Sequence, residues 1–202
     1  MSDPREHTCV TRSTYDRVAR QFLERTVDRR GSRHLRRQFT VSLPPRALIL
    51  DVGCGPGCDS DHFRGDGHRT IGIDLSLGML QLAREEYGTA DQVQADMRQL
   101  PCDGKADGIW ACASMLHLNR EDFPAALAGF RSALRPGGLL CLSVKEGQGE
   151  EWDTRYGRDC LRWFTYWREA DVDSYLRRHD LDILSIEDDS SSWIRRLARR
   201  SG

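Results

Sequence analysis

Three glycines at one turn are spaced for contact between a ligand and bare backbone. Gly53, Gly55 and Gly57 come directly after an apolar run, where glycine lets the chain bend sharply and a ligand approach the main chain. The dinucleotide fingerprint places its third glycine three residues after the second, but position 58 is cysteine here. The spacing therefore disfavours NAD, and a turn that needs glycine for its geometry alone stays open as an alternative.

Two aspartates mark the ends of the next two predicted strands. Asp74 lies 17 residues after Gly57, where a carboxylate at the tip of a second strand accepts hydrogen bonds from the hydroxyls of a ribose. Asp96 precedes Met97, so a carboxylate and an apolar side chain are placed to meet the edge and the face of an adenine. Each aspartate could instead cap a helix or stabilise a turn.

The elements that position these residues alternate between short apolar runs and longer amphipathic stretches. Strands are predicted at 47–51, 69–74, 92–96, 108–112, 139–144, 181–186 and 193–198, and helices at 77–87, 121–134 and 168–178. Strands buried on both faces and joined by helical crossovers specify a mostly parallel sheet. The last two runs are spaced for an antiparallel hairpin. The predicted fold is α/β, Rossmann-like and doubly wound, with seven strands and helices on both faces.

The N-terminal segment is predicted to be a helical appendage. Apolar residues at helical spacing behind Ser13 and Thr14 predict an amphipathic helix over 13–30, ended by Gly31. A short basic helix follows over 33–38, and two prolines at 44 and 45 close the segment. We expect a lid or cap over 1–44 and one main domain over 45–202.

The composition favours a single domain without a polyanionic partner. The chain has 202 residues, 30 of them basic and 31 acidic, and a formal net charge of −1, so no global field attracts nucleic acid. Arginine clusters at 29–37 and 195–200 keep RNA open as an alternative partner. No apolar run approaches the roughly 20 residues of a membrane span, and residues 1–7 do not resemble a secretory signal. We expect no membrane association and a cytoplasmic location.

The cysteines indicate thiol rather than metal or disulfide chemistry. There are seven, an odd number spread along the chain, which is typical of reduced thiols. Cys54 and Cys58 have no second pair at the spacing of a tetrahedral site. No metal is expected.

Five motifs stand in order between residues 45 and 145. They are Asp51–Gly57, Gly72–Ser76, Ala95–Met97, Ala113–His117 and Leu134–Gly138. In order and spacing they resemble the motif set of the class I S-adenosylmethionine-dependent methyltransferases. One departure is the segment 58–63, which is more polar than the usual apolar repeat after the glycine turn.

The resemblance implies S-adenosylmethionine as the cofactor. The glycines would line its methionine half, Asp74 would hold the ribose, and Asp96 with the Met97 backbone would recognise the adenine. A helix that folds over the cofactor as a lid would carry Tyr15. The full set of cofactor residues that the resemblance implies is Tyr15, Asp51, Gly53, Gly55, Gly57, Asp74, Leu75, Asp96, Met97 and Ala113.

The acceptor side is predicted from the loops at the carboxyl ends of the strands. His117 follows the fourth strand, and an imidazole can take a proton from a hydroxyl, an amine or a thiol near neutral pH. We predict His117 as a general base or as a residue that positions the acceptor, with a locally packed loop histidine as the alternative. The segment 145–167 is the predicted substrate loop, in which Phe164 and Trp167 are expected in the core. The predicted acceptor contacts are Lys145, Glu146, Tyr156, Trp163 and Tyr166.

The predicted function is methyl transfer to a small molecule by in-line displacement. Two alternatives remain, an RNA methyltransferase and a non-catalytic protein that binds S-adenosylmethionine. The protein is expected to be a monomer or a homodimer.

Overall fold

A seven-stranded sheet runs through the centre of the molecule. The computed structural model describes residues 4–26, 30–88, 91–100, 103–184 and 192–202. The six helices of these ranges are α1 (Pro4–Thr26), α2 (Arg30–Val41), α3 (Cys58–Gly65), α4 (Leu77–Tyr87), α5 (Phe123–Ala133) and α6 (Glu169–Arg178). The strands are β1 (Leu48–Val52), β2 (Arg69–Asp74), β3 (Gln92–Gln94), β4 (Ala106–Cys112), β5 (Leu134–Lys145), β6 (Glu150–Asp153), β7 (Arg162–Thr165), β8 (Leu181–Leu184) and β9 (Trp193–Arg200).

The strand order is β3-β2-β1-β4-β5-β9-β8. β1 to β5 pair in parallel, and β9 pairs antiparallel with both β5 and β8. The order reverses between β1 and β4, and ligands of open parallel sheets bind beyond the carboxyl ends of the strands at such a switch point. The predicted fold class is confirmed.

Apolar helix faces cover both sides of the sheet. On one side Phe123 and Phe130 of α5 join Leu50 and Val52 of β1 in the larger core. On the other side Phe39 of α2 joins a second core that includes residues of β1, β4 and α3. No helix within the described ranges combines the length and the apolarity needed to cross a membrane.

A buried ion pair fastens α2 to α3. Arg36 Nη1 donates to Asp59 Oδ1 at 2.5 Å, and Trp110 Nε1 donates to Asp59 Oδ2 at 3.0 Å. Burying a carboxylate is costly unless it is paired. α2, which was predicted as a short basic helix over 33–38, is longer than predicted. Because the ion pair joins it to α3, this helix is part of the main body of the molecule.

Tertiary contacts change several predicted boundaries. α1 begins nine residues before Ser13, because its first turns pack on the segment that follows β5. That segment is an antiparallel hairpin of β6 and β7, although its aromatic residues are at helical spacing in the sequence; cross-strand pairs such as Trp152 and Trp163 decide the outcome.

Smaller differences concern strand ends. β3 stops at Gln94, two residues early, and β5 begins at Leu134, which pairs with Ala106 across a register shift. Residues 27–29 of the predicted first helix, residues 185–186 of the predicted hairpin, and Cys102 lie outside the described residues.

Candidate active site

A cavity opens at the switch point, between the ends of β1, β2 and β4 and the overlying helix α1. It holds about 850 Å³ of empty space, part of it open to solvent. Its lining residues are Thr8, Thr11, Arg12, Tyr15, Phe22, Val52, Gly53, Gly55, Ile73, Asp74, Leu75, Ser76, Met79, Ala95, Asp96, Met97, Cys112, Ala113, Ser114, His117 and Leu118.

The turn after β1 leaves no room for a side chain at its first glycine. Gly53 has φ +73°, and a Cβ there would overlap Cβ of Ser114 and lie 3.0 Å from its Oγ. Ser114 follows Ala113, which itself adopts a left-handed φ of 55°. The main chains after β1 and β4 therefore approach each other as closely as their atoms allow.

The other two glycines have different surroundings. A Cβ on Gly55 would have only Phe22 of α1 nearby, at 3.8 Å, so this position faces the cavity. Gly57 caps α3 with φ 85°, and a Cβ there would lie 2.9 Å from Cβ of Ala83. Gly57 thus serves helix packing and is not part of the lining.

Asp74 joins the glycine turn to the start of α4. Its Oδ2 accepts a hydrogen bond from the Gly55 amide and its Oδ1 accepts one from the Ser76 amide, both at 2.8 Å. Desolvation by the surrounding protein outweighs these bonds and raises the pKa of Asp74. The cap of α4 is Ser76, whose hydroxyl accepts from the Met79 amide, so the carboxylate of Asp74 is left on the cavity wall.

Asp96 is held by a neighbouring arginine. Arg98 donates from Nε and Nη2 to the carboxylate, at 3.0 and 2.5 Å, and from Nη1 to Asp122 at 2.8 Å. Burial opposes the charge of Asp96, but the bonds and the charge of Arg98 outweigh it and lower the pKa of Asp96. Met97 lies beside it on the wall.

Asp51 is placed behind the wall rather than on it. It is buried, its Oδ2 accepts from Ser60 Oγ at 2.6 Å, and it is not among the lining residues. Of the ten predicted cofactor residues, all but Asp51 and Gly57 line the cavity.

His117 belongs to a chain of hydrogen bonds that crosses three elements. Its Nδ1 lies 2.7 Å from the carbonyl oxygen of Trp163, so Nδ1 carries the proton and Nε2 accepts from the Tyr15 hydroxyl at 2.7 Å. Arg162 donates to the same hydroxyl at 3.1 Å and pairs with Asp153 at 2.5 Å.

Burial sets the protonation of this pair. Desolvation lowers the pKa of His117 to about 4, and it raises the pKa of Tyr15 against the opposing effect of Arg162. At neutral pH His117 is an uncharged acceptor and Tyr15 keeps its proton. Of the two roles predicted for His117, the geometry favours positioning over proton transfer.

α1 is fastened on both of its flanks. Asp16 accepts from Ser76 Oγ at 2.6 Å and from the Gly78 amide at 3.0 Å, which attaches α1 to the start of α4. Thr11 accepts from the Trp163 amide at 2.9 Å, and the His7 ring stacks on Trp163 with centroids 3.8 Å apart. The helix forms the roof of the cavity, and the β6–β7 hairpin supports it.

The five predicted acceptor contacts, all described, lie outside the cavity lining. Lys145 lies over the ring of Trp193 and donates to Ser192 Oγ, and Glu146 forms a backbone bridge with Trp167. Tyr166 donates to Glu151, which raises the pKa of Tyr166 to about 12. Phe164 and Trp167 are in the core as expected.

The other two, Tyr156 and Trp163, support the roof. Tyr156 stacks with the guanidinium groups of Arg25 and Arg162, and Trp163 packs on His7. The predicted substrate loop therefore contributes by supporting the helix that lines the cavity.

Sequence reasoning missed the residues that complete the cavity. Thr8, Thr11 and Arg12 lie before the predicted start of α1. Arg162, which donates to the lining residue Tyr15, falls within a predicted aromatic run. The available signal was helical spacing, since Thr8, Thr11, Arg12 and Tyr15 share one face.

The cavity fits S-adenosylmethionine in the features that can be compared. Gly55 exposes its main chain to the cavity without a side chain, and the buried hydroxyl of Ser114 on the wall has no hydrogen-bond partner among the described residues. A carboxylate stands at the end of β2. No group of three or more metal-ligating side chains is found within the described part of the chain.

Residues 49–138 match the family described as methyltransferase domain. This match covers less than half of the chain and identifies a methyltransferase domain within it. In sequence the domain is 37% identical over 106 residues to malonyl-[acyl-carrier protein] O-methyltransferase of Yersinia pestis, a match that covers 52% of this chain and 39% of that one. It is 35% identical over 114 residues to trans-aconitate 2-methyltransferase of Paracidovorax citrulli, covering 54% and 43%. The matched part is less than half the length of both relatives.

The whole chain also resembles solved structures. A 1,6-didemethyltoxoflavin-N1-methyltransferase from Burkholderia thailandensis, solved with 1,6-didemethyltoxoflavin and S-adenosylhomocysteine, aligns over 100% of this chain and 92% of its own with a TM-score of 0.80 at 21% identity. A methyltransferase from Methanosarcina mazei aligns over 80% and 96% with a TM-score of 0.70 at 16% identity. At these identities the likeness establishes the fold.

Proposed function

We propose that the protein transfers a methyl group from S-adenosylmethionine to a small-molecule acceptor. The observation that carries this proposal is the cavity at the switch point, walled by the glycine turn and Asp74 and roofed by α1 of the same chain. The methyltransferase domain match supports the reaction class. S-adenosylmethionine supplies an activated methyl group on a sulfonium sulfur, so the protein has to orient the partners and exclude water.

The predicted roles of the wall residues are retained as part of this proposal. Gly53 and Gly55 would accommodate the methionine half, Asp74 the ribose, and Asp96 and Met97 the adenine. Because Arg98 already occupies both oxygens of Asp96, we expect the main chain at Met97 to contribute most to adenine recognition.

The roof favours a small acceptor over RNA. α1 covers the cavity, and one arginine of each basic cluster is neutralised within the protein. Arg196 pairs with Glu169 and Asp173, and Arg36 pairs with Asp59. Short arginine clusters that are partly neutralised in this way are weaker electrostatic footprints for a polyanion.

The acceptor is proposed to lie under the roof rather than against segment 145–167. Thr8, Thr11 and Arg12 line the cavity from the first turns of α1, and His117 and Leu118 line it from the segment after β4. A cytoplasmic location and a monomeric or dimeric state remain predictions.

Calorimetric titration tests the cofactor directly. We expect S-adenosylhomocysteine to bind and NAD not to bind. Transfer of label from S-adenosylmethionine labelled in its methyl group into a small-molecule extract then separates an enzyme from a binding protein. Binding of NAD alone would refute the assignment, whereas binding of S-adenosylhomocysteine without transfer to any acceptor would favour the non-catalytic alternative.

A further inference from the structure

The described cavity contains five titratable side chains that could in principle accept a proton from an acceptor: Tyr15, Asp74, Asp96, Cys112 and His117. Each is engaged by a neighbour, and the Cys112 thiol lies 3.2 Å from Ser143 Oγ. Both oxygens of Asp74 accept backbone amides, and both oxygens of Asp96 accept from Arg98. Neither carboxylate is placed as a free base.

The remaining two groups, Tyr15 and His117, are hydrogen-bonded to each other. Nε2 of His117 is the basic nitrogen, and the Tyr15 hydroxyl occupies it. The charged groups that face this pair are Arg162 of β7 and Asp153 of β6, which are themselves ion-paired at 2.5 Å. With a pKa of about 4, His117 is too weak a base to deprotonate an alcohol or a phenol near neutral pH.

Among the described residues, one cation of this cavity has no partner. Arg12 lines the cavity, and no ion pair or hydrogen bond of its side chain is found within the described ranges of the chain. Other arginines in the neighbourhood are paired, Arg98 with two aspartates and Arg162 with Asp153. An unpaired arginine on a cavity wall can bind a carboxylate, because its planar guanidinium group donates two parallel hydrogen bonds to the two carboxylate oxygens.

The position of Arg12 points to the acceptor rather than to the methionine end of the cofactor. Phe22 is the α1 residue nearest to Gly55, and Arg12 lies ten residues before it, about 15 Å away along the helix axis. Arg12 instead lies three residues before Tyr15, whose hydroxyl contacts His117.

We propose that the methyl acceptor enters this site as a carboxylate, that Arg12 pairs with it, and that no protein base takes part. The inference rests on the proposed methyltransferase function and narrows its substrate class. A lone pair of the carboxylate oxygen forms the new bond to the methyl carbon, and the bond between that carbon and the sulfonium sulfur breaks with both electrons going to sulfur. The products are a methyl ester and S-adenosylhomocysteine, and no proton moves.

Other acceptor classes fit these residues less well. A protonated amine would be repelled by Arg12, and an alcohol or a phenol would need a base that the described cavity does not offer. A carboxylate with an ordinary pKa near 4 is already an anion at neutral pH. The Tyr15–His117 pair would then position the acceptor and exclude water.

The product chemistry tests the substrate class. Purified protein is incubated with S-adenosylmethionine carrying a radiolabelled methyl group and, separately, with mono-, di- and tricarboxylic acids, with their amides, and with the acidic fraction of a bacterial extract. Methyl esters release labelled methanol in mild alkali, whereas methyl ethers and N-methyl amines do not. We expect alkali-labile label from an acid and none from its amide. Alkali-stable label, or donor binding with no label from any acid, would overturn the proposal.

The role of Arg12 is tested with Arg12→Gln and Arg12→Lys. We expect Arg12→Gln to raise the KM of the acid at least about tenfold, with partial recovery in Arg12→Lys and an unchanged Kd for S-adenosylhomocysteine by calorimetry. Titration of the acid into the protein saturated with S-adenosylhomocysteine should show the same loss without any turnover. Arg20→Gln is the matched control, because Arg20 lies on α1 outside the lining and pairs with surface glutamates.

The outcomes separate this inference from the proposed function. If S-adenosylhomocysteine does not bind, the function itself fails. If it binds and Arg12→Gln weakens the cofactor instead of the acid, Arg12 serves the cofactor and the inference fails alone. A kcat/KM for the acid that rises tenfold per pH unit between pH 6 and 8 would require a protein base and would also overturn it.

Discussion

The close approach of the two main chains at Gly53 predicts a large effect from one methyl group. In Gly53→Ala the new residue must keep φ near +73°, which costs an L residue about 1–2 kcal/mol. Its Cβ also overlaps Ser114, and relief of such overpacking costs about 1–3 kcal/mol more. We expect the free energy of unfolding to fall by about 2–5 kcal/mol, and Tm by about 2–4 °C for each kcal/mol in a chain of this size.

Two further variants isolate the overlap. Gly67 has φ +86°, and a Cβ added there would meet no other atom within 4 Å, so Gly67→Ala measures the conformational cost alone. Adding Ser114→Gly to Gly53→Ala should recover the excess, as a double-mutant cycle measures. Chemical denaturation of the wild type, these three variants and Ser114→Gly alone, which the cycle also requires, provides the values. Equal destabilisation by Gly53→Ala and Gly67→Ala would refute the argument that the turns after β1 and β4 are in contact.

Three other changes test the cavity and its roof. Asp74→Ala should weaken the binding of S-adenosylhomocysteine at least about tenfold, because charge-assisted bonds to a ribose are lost. An unchanged Kd by calorimetry would mean that Asp74 only connects the glycine turn to the start of α4. His117 has its pKa lowered from 6.5 to about 4, so the unfolded state binds more protons between these values and stability falls, by about 3 kcal/mol, as pH drops from about 6.5 to about 4. Tm measured against pH should show this loss in the wild type and a smaller one in His117→Gln; parallel curves would contradict the low pKa. Asp16→Ala removes two bonds to α4 and should speed amide hydrogen exchange in α1 with little change in the core, whereas protection equal to that of the wild type would mean that the hairpin alone holds the helix.

The sheet and the cofactor half of the site were predictable because their signals are local. A buried strand followed by glycines, or ended by an aspartate, specifies where a main chain turns and which side chain stands at the sheet edge. The family and the fold were confirmed on this basis. The individual site residues stay predictions, although eight of the ten cofactor residues meet in one cavity.

The acceptor half was harder because its contacts join distant segments. Tyr15 meets His117 and Arg162 across 102 and 147 residues, and no local pattern encodes such pairs. The aromatic run around Trp163 is compatible with a buried helix, and only its pairing with β6 makes it a strand. Apolar residues specify burial, but the partner decides which face is buried.

The roof also separates the formation of the cores from the formation of the site. Among the described residues, neither of the two cores on the faces of the sheet includes a residue of α1. The cavity, in contrast, is closed by α1, and the amide that donates to Thr11 of this helix lies 152 residues later in the chain. A contact of such separation carries a loop-closure cost. The docking of α1 therefore completes the binding site, and its undocking would open the same site to a ligand.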